Sequence, residues 1–321
     1  MQDIIKLIEG SKRVAVFTHI NPDGDALGSS IAMKLGLEQL GKEVDLYSAD
    51  TNIHENYNFL NIEEYYVEHE NQNYDLAIMV DCPELKRIGS YMGLYSSIPK
   101  KIVLDHHLNN TVKADKKIVD EKAGSVGVII YRLFEKLGIK YSRNLATAIY
   151  TSVASDTGCF MHSNTTIESH LIAANMFKYG IDIDKINFYL FKRKTKNQIM
   201  LLSKALESLQ FHEDNQIALV VIDREDFKKA KANYIDTIGI SSLVGGIDNI
   251  NVAAILTEMD ENVFTLSLRC NHGADCSAIA REFNGGGHRS AAGCTIRGQK
   301  ETVVNKVLEV CRRELNLEEN K

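Results

Sequence analysis

Thr18-His19-Ile20-Asn21-Pro22-Asp23-Gly24-Asp25-Ala26-Leu27-Gly28-Ser29 is the stretch on which the reading of the fold turns. Before it, Val14-Ala15-Val16-Phe17 is a short apolar run that reads as a buried strand. After it, Ala26 to Leu40 reads as a helix marked by Leu27, Ile31, Leu35 and Leu37. That order puts His19, Asp23 and Asp25 on the loop leaving the strand's carboxyl end, the edge where open α/β sheets bind ligands. Two carboxylates and an imidazole within seven residues, with Pro22 and Gly24 shaping the turn, suit a divalent ion that can activate water. The plain alternative is a helix cap, because Asp and Asn favour the position before a helix. A cap needs one carboxylate, and the stretch offers two.

The same arrangement recurs outward along the chain. Tyr74 to Val80 is an apolar run of strand length that stops at Asp81, followed by Cys82 and Pro83. Asp at a strand end is ordinary turn chemistry when it occurs once. Lys101 to Leu104 is a third strand, and it ends in Asp105-His106-His107. Ser125 stands where it can cap a helix reaching Leu137, and Arg143 to Ala154 reads as another helix, ending in Ser155-Asp156. Strands alternating with helices predict a doubly wound, mostly parallel α/β sheet. His19, Asp23, Asp25, Asp81, His106, His107 and Asp156 then converge along one edge. Such a set is sufficient for two divalent ions about 3.5–4 Å apart that clamp an in-line displacement at phosphorus.

The bulk numbers narrow the classes. The chain has 321 residues, enough for two ordinary domains, with 44% hydrophobic and 25% charged residues, as in soluble globular proteins. No apolar run is long enough to span a membrane, and the first residues show no basic region followed by an apolar core. The expectation is a cytoplasmic protein with no membrane partner. Six scattered cysteines form no C-x-x-C pair, so reduced, partly buried thiols are expected. A net charge of −6 argues against a long nucleic acid held by electrostatics and fits a small or short phosphorylated substrate.

From Asp182 the pattern changes. Ile183 to Leu209 reads as a long helical stretch containing Phe191-Lys192-Arg193-Lys194-Thr195-Lys196, with apolar marks on both sides of the basic run. This predicts a connector helix with a solvated basic face, or one turned toward substrate phosphates. The expected domains are 1–182, a connector over 183–209, and a smaller α/β domain over 210–321, with an active-site cleft between the two. In the second half, Gln216 to Ile222, Asn251 to Glu258 and Val263 to Arg269 read as strands, Asp275 to Phe283 and residues 300–315 as helices. Asn284-Gly285-Gly286-Gly287-His288-Arg289-Ser290-Ala291-Ala292-Gly293 follows, with Arg269 ending the preceding strand. Three glycines let backbone approach a ligand and aim amides at an anion, so the stretch reads as a phosphate or nucleotide site; the alternative is a flexible surface turn.

These motifs, in order, resemble those of the DHH phosphoesterase superfamily. The segment from Gly285 to Gly293 resembles the signature of the first type of DHH-associated C-terminal domain. Asn284, where many relatives have a fourth glycine, is a departure that left-handed Asn geometry accommodates. The resemblance covers nearly the whole chain. It implies hydrolysis of very short RNA and linear dinucleotides, and removal of the 3′ phosphate from 3′-phosphoadenosine 5′-phosphate. It also implies two divalent ions, usually manganese, with magnesium as another option, and a homodimer. One ion takes His19, Asp23 and Asp81; the other takes Asp25, Asp81, His106 and Asp156, with Asp81 bridging. A hydroxide held between the ions attacks phosphorus, His107 contacts the reacting phosphate and Asp105 orients a histidine. Arg269, His288 and the amides of Gly285, Gly286 and Gly287 hold the rest of the nucleotide. The competing readings are a RecJ-type exonuclease, which is normally longer, an inorganic pyrophosphatase, whose C-terminal signature is absent, and an inactive nucleotide-binding protein.

Overall fold

A computed structural model describes residues 1–49, 53–67 and 73–316. They form two compact units, Met1–Arg193 and Lys194–Lys321.

The first unit is built on five strands: β1 Arg13–Phe17, β2 Glu43–Tyr47, β3 Leu76–Val80, β4 Lys100–Asp105 and β5 Lys116–Val119. All pair in parallel, in the order β2-β1-β3-β4-β5. The winding reverses between β1 and β3, and that reversal opens a crevice at the carboxyl ends of these strands. The helices are α1 Gln2–Glu9, α2 Gly24–Glu38, α3 Ile62–Tyr65, α4 Met92–Ser97, α5 Val126–Leu137, α6 Arg143–Asp156, α7 Ile167–Phe177 and α8 Ile183–Asn187. Side chains alternate across the sheet with period two. Val14, Val16, Ile78 and Leu104 enter a large core with α1, α2, α5 and α6. Ala15, Phe17, Met79 and Val103 enter a smaller one with Tyr47 and Tyr95.

The expected strands and flanking helices are present, with informative differences. Strand β5 and helix α7 were not among the expected elements: β5 is largely exposed, and α7 opens with a capping box between Thr166 and Ser169. Ser125 precedes α5 but makes no side-chain cap; its hydroxyl meets Ser152 Oγ at 3.3 Å. Asp25 lies in the first turn of α2 rather than on the loop, and Asp156 is the last residue of α6.

The continuous connector helix expected over 183–209 is not formed. Helix α8 passes into one π-helical turn, Phe188–Lys192, and the chain turns extended at Arg193. Helix α9, Lys196–Glu207, then starts afresh, with Thr195 and Gln198 forming a capping box. The basic run is not uniformly solvated either: Arg193 donates to Asn56 Oδ1 and Glu55 Oε2, both at 2.7 Å.

The second unit holds a six-stranded sheet in the order β10-β11-β9-β8-β7-β6. Its strands are β6 Gln210–His212, β7 Ile217–Ile222, β8 Val252–Asp260, β9 Val263–Cys270, β10 Gly286–Gly287 and β11 Ala291–Arg297. Only β7 and β8 pair in parallel. Besides α9, its helices are α10 Arg224–Ala230, α11 Ile240–Gly245, α12 Cys276–Arg281 and α13 Lys300–Glu314. One sheet face packs on α12 and α13, the other on α9, α10 and α11.

Cys270 and Cys276 are joined in a disulfide with Cα atoms 5.6 Å apart, which corrects the expectation of six reduced thiols. Cys82, Cys159, Cys294 and Cys311 are free thiols. Among the described residues no helix is long and apolar enough to cross a membrane.

Candidate metal centre and glycine loop

In the first unit, the loop after β1 does two jobs with one residue. Asp23 caps α2, its Oδ1 accepting from the amides of Asp25 at 3.0 Å and Ala26 at 3.1 Å. The cap reading therefore holds, and Asp23 still lies with His19 and Asp81 in a group whose ligand atoms are all within 4.8 Å of one another. His19 is buried, and its Nδ1 sits 2.7 Å from the Ile20 carbonyl, an acceptor that puts the proton on Nδ1. Nε2 is left with its lone pair, 3.6 Å from Asp81 Oδ2. Hydrogen bonding one ring nitrogen to a carbonyl is how proteins orient a metal-binding imidazole.

Asp25, His106 and Asp156 form a second group within the same limit. Asp25 is buried, and its carboxylate accepts from Ser29 Oγ at 3.0 Å, Ser152 Oγ at 2.5 Å and the Val126 amide at 2.8 Å. His106 Nδ1 lies 3.1 Å from the Ala123 carbonyl, and Nε2 faces three carboxylates. These are Asp156 at 3.4 Å, Asp81 at 3.7 Å and Asp25 at 3.8 Å. Asn164 Nδ2 donates to Asp156 Oδ2 at 3.3 Å. Asp81 thus stands between the groups, touching His19 through Oδ2 and His106 through Oδ1.

The electrostatics of this cluster call for cations. Burial, then the neighbouring Asp25, Asp23 and Asp156, push the Asp81 carboxyl well above its ordinary range. Burial likewise raises Asp25. Asp156 is pushed up to about 7 by burial and then by Asp25. Burial lowers His19, which keeps the imidazole neutral as a ligand must be. Asp81 Oδ1 is buried with no hydrogen-bond partner among the described residues, an uncommon and costly state for a carboxylate oxygen. Hard carboxylates with imidazole nitrogens and an orphaned central oxygen fit divalent ions.

His107 differs from its neighbour. Its Nδ1 lies 2.8 Å from Asp105 Oδ1 and 3.5 Å from Asp81 Oδ1. The shorter contact decides the role: Nδ1–H is committed to Asp105. That hydrogen bond, against the effect of burial, raises the His107 pKa. Asp105 is fully buried, and burial opposes its ionisation. Bonds from His107, from Asn110 Nδ2 at 2.6 Å and from the His106 and His107 amides outweigh that, holding its carboxyl below the usual range.

In the second unit, Asn284 takes a left-handed conformation and Gly286–Gly287 pairs with β11 as a short hairpin. The glycines are required by backbone approach. A Cβ on Gly285 would meet Gly293 O at 2.4 Å, and one on Gly287 would meet Ala292 Cα at 2.5 Å. Not every amide of the loop is open to an anion: that of His288 donates to Ala291 O at 2.7 Å. The Arg289 and Ser290 carbonyls accept from the amides of Cys276 and Cys270, tying the hairpin tip to the disulfide. The His288 side chain is exposed. Arg269 pairs in register with Ala291, beside this hairpin. Its guanidinium is half-buried, donates to its neighbour Leu268 O at 2.9 Å, and has no carboxylate partner among the described residues. Burial lowers its pKa.

Sequence reasoning missed the residues that hold the cluster: Ser29, Ser152, Asn110 and Asn164. Asn110 and Asn164 follow their carboxylates by five and eight positions, which was the available signal. Ser152 lies in α6, four positions before Asp156 and therefore on the same helix face.

Residues 13–153 match the DHH family, N-terminal domain, and residues 200–316 match the DHHA1 domain. A Thermus thermophilus protein named bifunctional oligoribonuclease and PAP phosphatase NrnA is 28% identical, covering 98% of this chain and 93% of that relative. One of the same name from Bacillus subtilis is 26% identical, covering 92% of each. The solved structure of an exopolyphosphatase-related protein from Bacteroides fragilis superposes with a TM-score of 0.90 at 24% identity, covering 99% of this chain and 97% of that one. The matched domains carry the parallel sheet with its acid and histidine cluster and the hairpin sheet, in that order, and the chain belongs to the DHH family as a DHH domain followed by a DHHA1 domain.

Proposed function

We propose that this chain is a metal-dependent phosphodiesterase that degrades very short oligoribonucleotides and linear dinucleotides to mononucleotides. On this reading it also removes the 3′ phosphate from 3′-phosphoadenosine 5′-phosphate, acts in the cytoplasm and uses two manganese ions. The observation that carries the reading is Asp81, with Oδ2 toward His19 and Oδ1 toward His106, the buried Oδ1 having no hydrogen-bond partner among the described residues. The names of the Thermus and Bacillus relatives support the substrate class.

His19, Asp23 and Asp81 would hold one ion, and Asp25, Asp81, His106 and Asp156 the other. Bound ions supply Lewis acidity toward phosphoryl oxygens and an activated water at neutral pH. The protein's own groups do the rest. The Ile20 and Ala123 carbonyls fix the tautomers of His19 and His106. Asp105 fixes the His107 ring and stabilises its protonated form, so Nε2–H is available to a phosphoryl oxygen as negative charge develops. Arg269, the His288 side chain and the loop of Gly285, Gly286 and Gly287 recognise the nucleotide.

The test is product analysis with manganese on 5′-phosphorylated RNA of two, five and about twenty nucleotides, with 3′-phosphoadenosine 5′-phosphate and pyrophosphate alongside. Rapid turnover of the dinucleotide and the bisphosphonucleotide, falling with length, is the expected result. Preference for the longest strand would point to a RecJ-like exonuclease, turnover of pyrophosphate alone to a pyrophosphatase, and no turnover to a binding protein.

A further inference from the structure

Arg87 is a guanidinium beside the candidate metal centre with no acid to pair with among the described residues. It lies in the 3-10 segment Leu85–Tyr91, whose position against the first loop is fixed by backbone. The Arg87 carbonyl accepts the Ile20 amide at 2.6 Å. At Gly89, with φ at +58°, a Cβ would meet Ala49 Cβ at 2.7 Å and Ile20 Cγ2 at 3.2 Å. The segment is therefore pressed onto the residue that follows His19. The side chain is half-buried, with Nη2 3.3 Å from His19 Nδ1. Neighbouring Lys86 pairs with Glu84 at 2.6 Å, whereas Arg87 has no carboxylate within ion-pair distance among the described residues.

The contact with His19 does not satisfy it. Nδ1 of His19 is 2.7 Å from the Ile20 carbonyl, so it carries a proton whenever Nε2 is a ligand. A protonated Nδ1 offers Arg87 no lone pair. The guanidinium is then a planar donor fork, held beside His19, with no acceptor of its own among the described residues. A tetrahedral phosphate ester is the anion whose oxygens match such a fork.

We propose that Arg87 is a catalytic residue that donates to a non-bridging oxygen of the reacting phosphate, an assignment resting on the phosphoesterase reading above. His107 and Arg87 then approach the phosphoryl group as two separate donors, one on the loop after β4 and one on the segment after β3.

The test compares manganese-loaded wild type with Arg87→Ala and Arg87→Lys. Three readouts are needed: the affinity for inorganic phosphate by calorimetry, kcat and KM on 3′-phosphoadenosine 5′-phosphate, and bound metal per chain. The expected result for Arg87→Ala is phosphate binding weakened at least tenfold and kcat lowered by about 10²–10³-fold. Metal content stays at the wild-type level. Arg87→Lys recovers part of the loss, and added guanidinium ion restores part of the activity of Arg87→Ala. Phosphate affinity within twofold of wild type overturns the proposal, as does metal lost in proportion to activity, which would make Arg87 a support for His19 instead. If wild type hydrolyses nothing, the functional reading fails, while the phosphate titration still decides Arg87.

Discussion

With φ near +54°, Asp81 holds a backbone conformation that few non-glycine residues adopt. It is also buried among other carboxylates with one oxygen unpartnered. Strain and repulsion of this kind persist where function requires them. Asp81→Asn keeps the size and tolerates the left-handed backbone while removing the charge. The expected outcome is a metal-free protein at least as heat-stable as wild type, with activity on every substrate reduced more than about 10³-fold. Calorimetry with and without manganese checks it; a wild-type response to metal would refute the bridging role. The pH dependence follows from Asp156. Its folded pKa, about 7, lies above the ordinary 3.8, so its contribution to metal-free stability is full below about pH 4 and is lost as pH rises through 7. Metal binding needs the ionised form, so affinity rises across the same window. The manganese-induced increase in Tm is expected to grow from pH 5 to pH 8, and a decrease would be inconsistent with these carboxylates as ligands. Acids and histidines placed at successive strand ends were legible because charged groups after apolar runs need a reason. Ser152, Asn110, Asn164 and Arg87 were not, because the partner of a single polar residue is set by the tertiary fold.

Among elements, the contact between α2 and α6 decides how the centre is assembled, since α2 carries Asp25 and α6 carries Ser152 and Asp156. Gly28 is where they meet: a Cβ there would lie 2.5 Å from Ala148 O and 2.8 Å from Ser152 N, backbone atoms that cannot swing away. Gly28→Ala is expected to cost about 1–3 kcal/mol of stability. It should also weaken manganese binding by moving Asp25 from Ser152. Denaturant midpoints and metal titration would show this; unchanged values in both would mean that the helices separate freely. The break in the expected connector was legible in principle, because Thr195 and Gln198 have capping-box spacing. Apolar residues on either side of the basic run outweighed that local signal. The Cys270–Cys276 link was not legible, since a spacing of six has no framework pattern and the residues meet only through a loop between β9 and α12.

Across the whole molecule, two sheets of different construction carry the candidate groups. The parallel sheet gathers the charged cluster at its switch point, and the mixed sheet presents Arg269 and the glycine hairpin. The parallel, doubly wound character of the first was readable from the alternation of strands and helices; its strand order was not. In the second, the antiparallel pairings depend on turns whose residues gave little sign of partner. If recognition belongs to the second unit, His288→Ala should lower kcat/KM for a dinucleotide at least tenfold more than for a simple aryl phosphate. Parallel assays on the two substrates check this, and equal losses would remove His288 from recognition.

Asp23 offers one oxygen to the first amides of α2 while belonging to the metal-ligand group. On the proposed ligand set, ion occupancy and helix initiation would share a single carboxylate. Whatever redistributes charge on Asp23 is felt at the start of a fifteen-residue helix whose body is buried against α6. Linkage of this kind is reciprocal: on that ligand set, filling the centre would stiffen the core of the first unit, and loosening that core would release the ion.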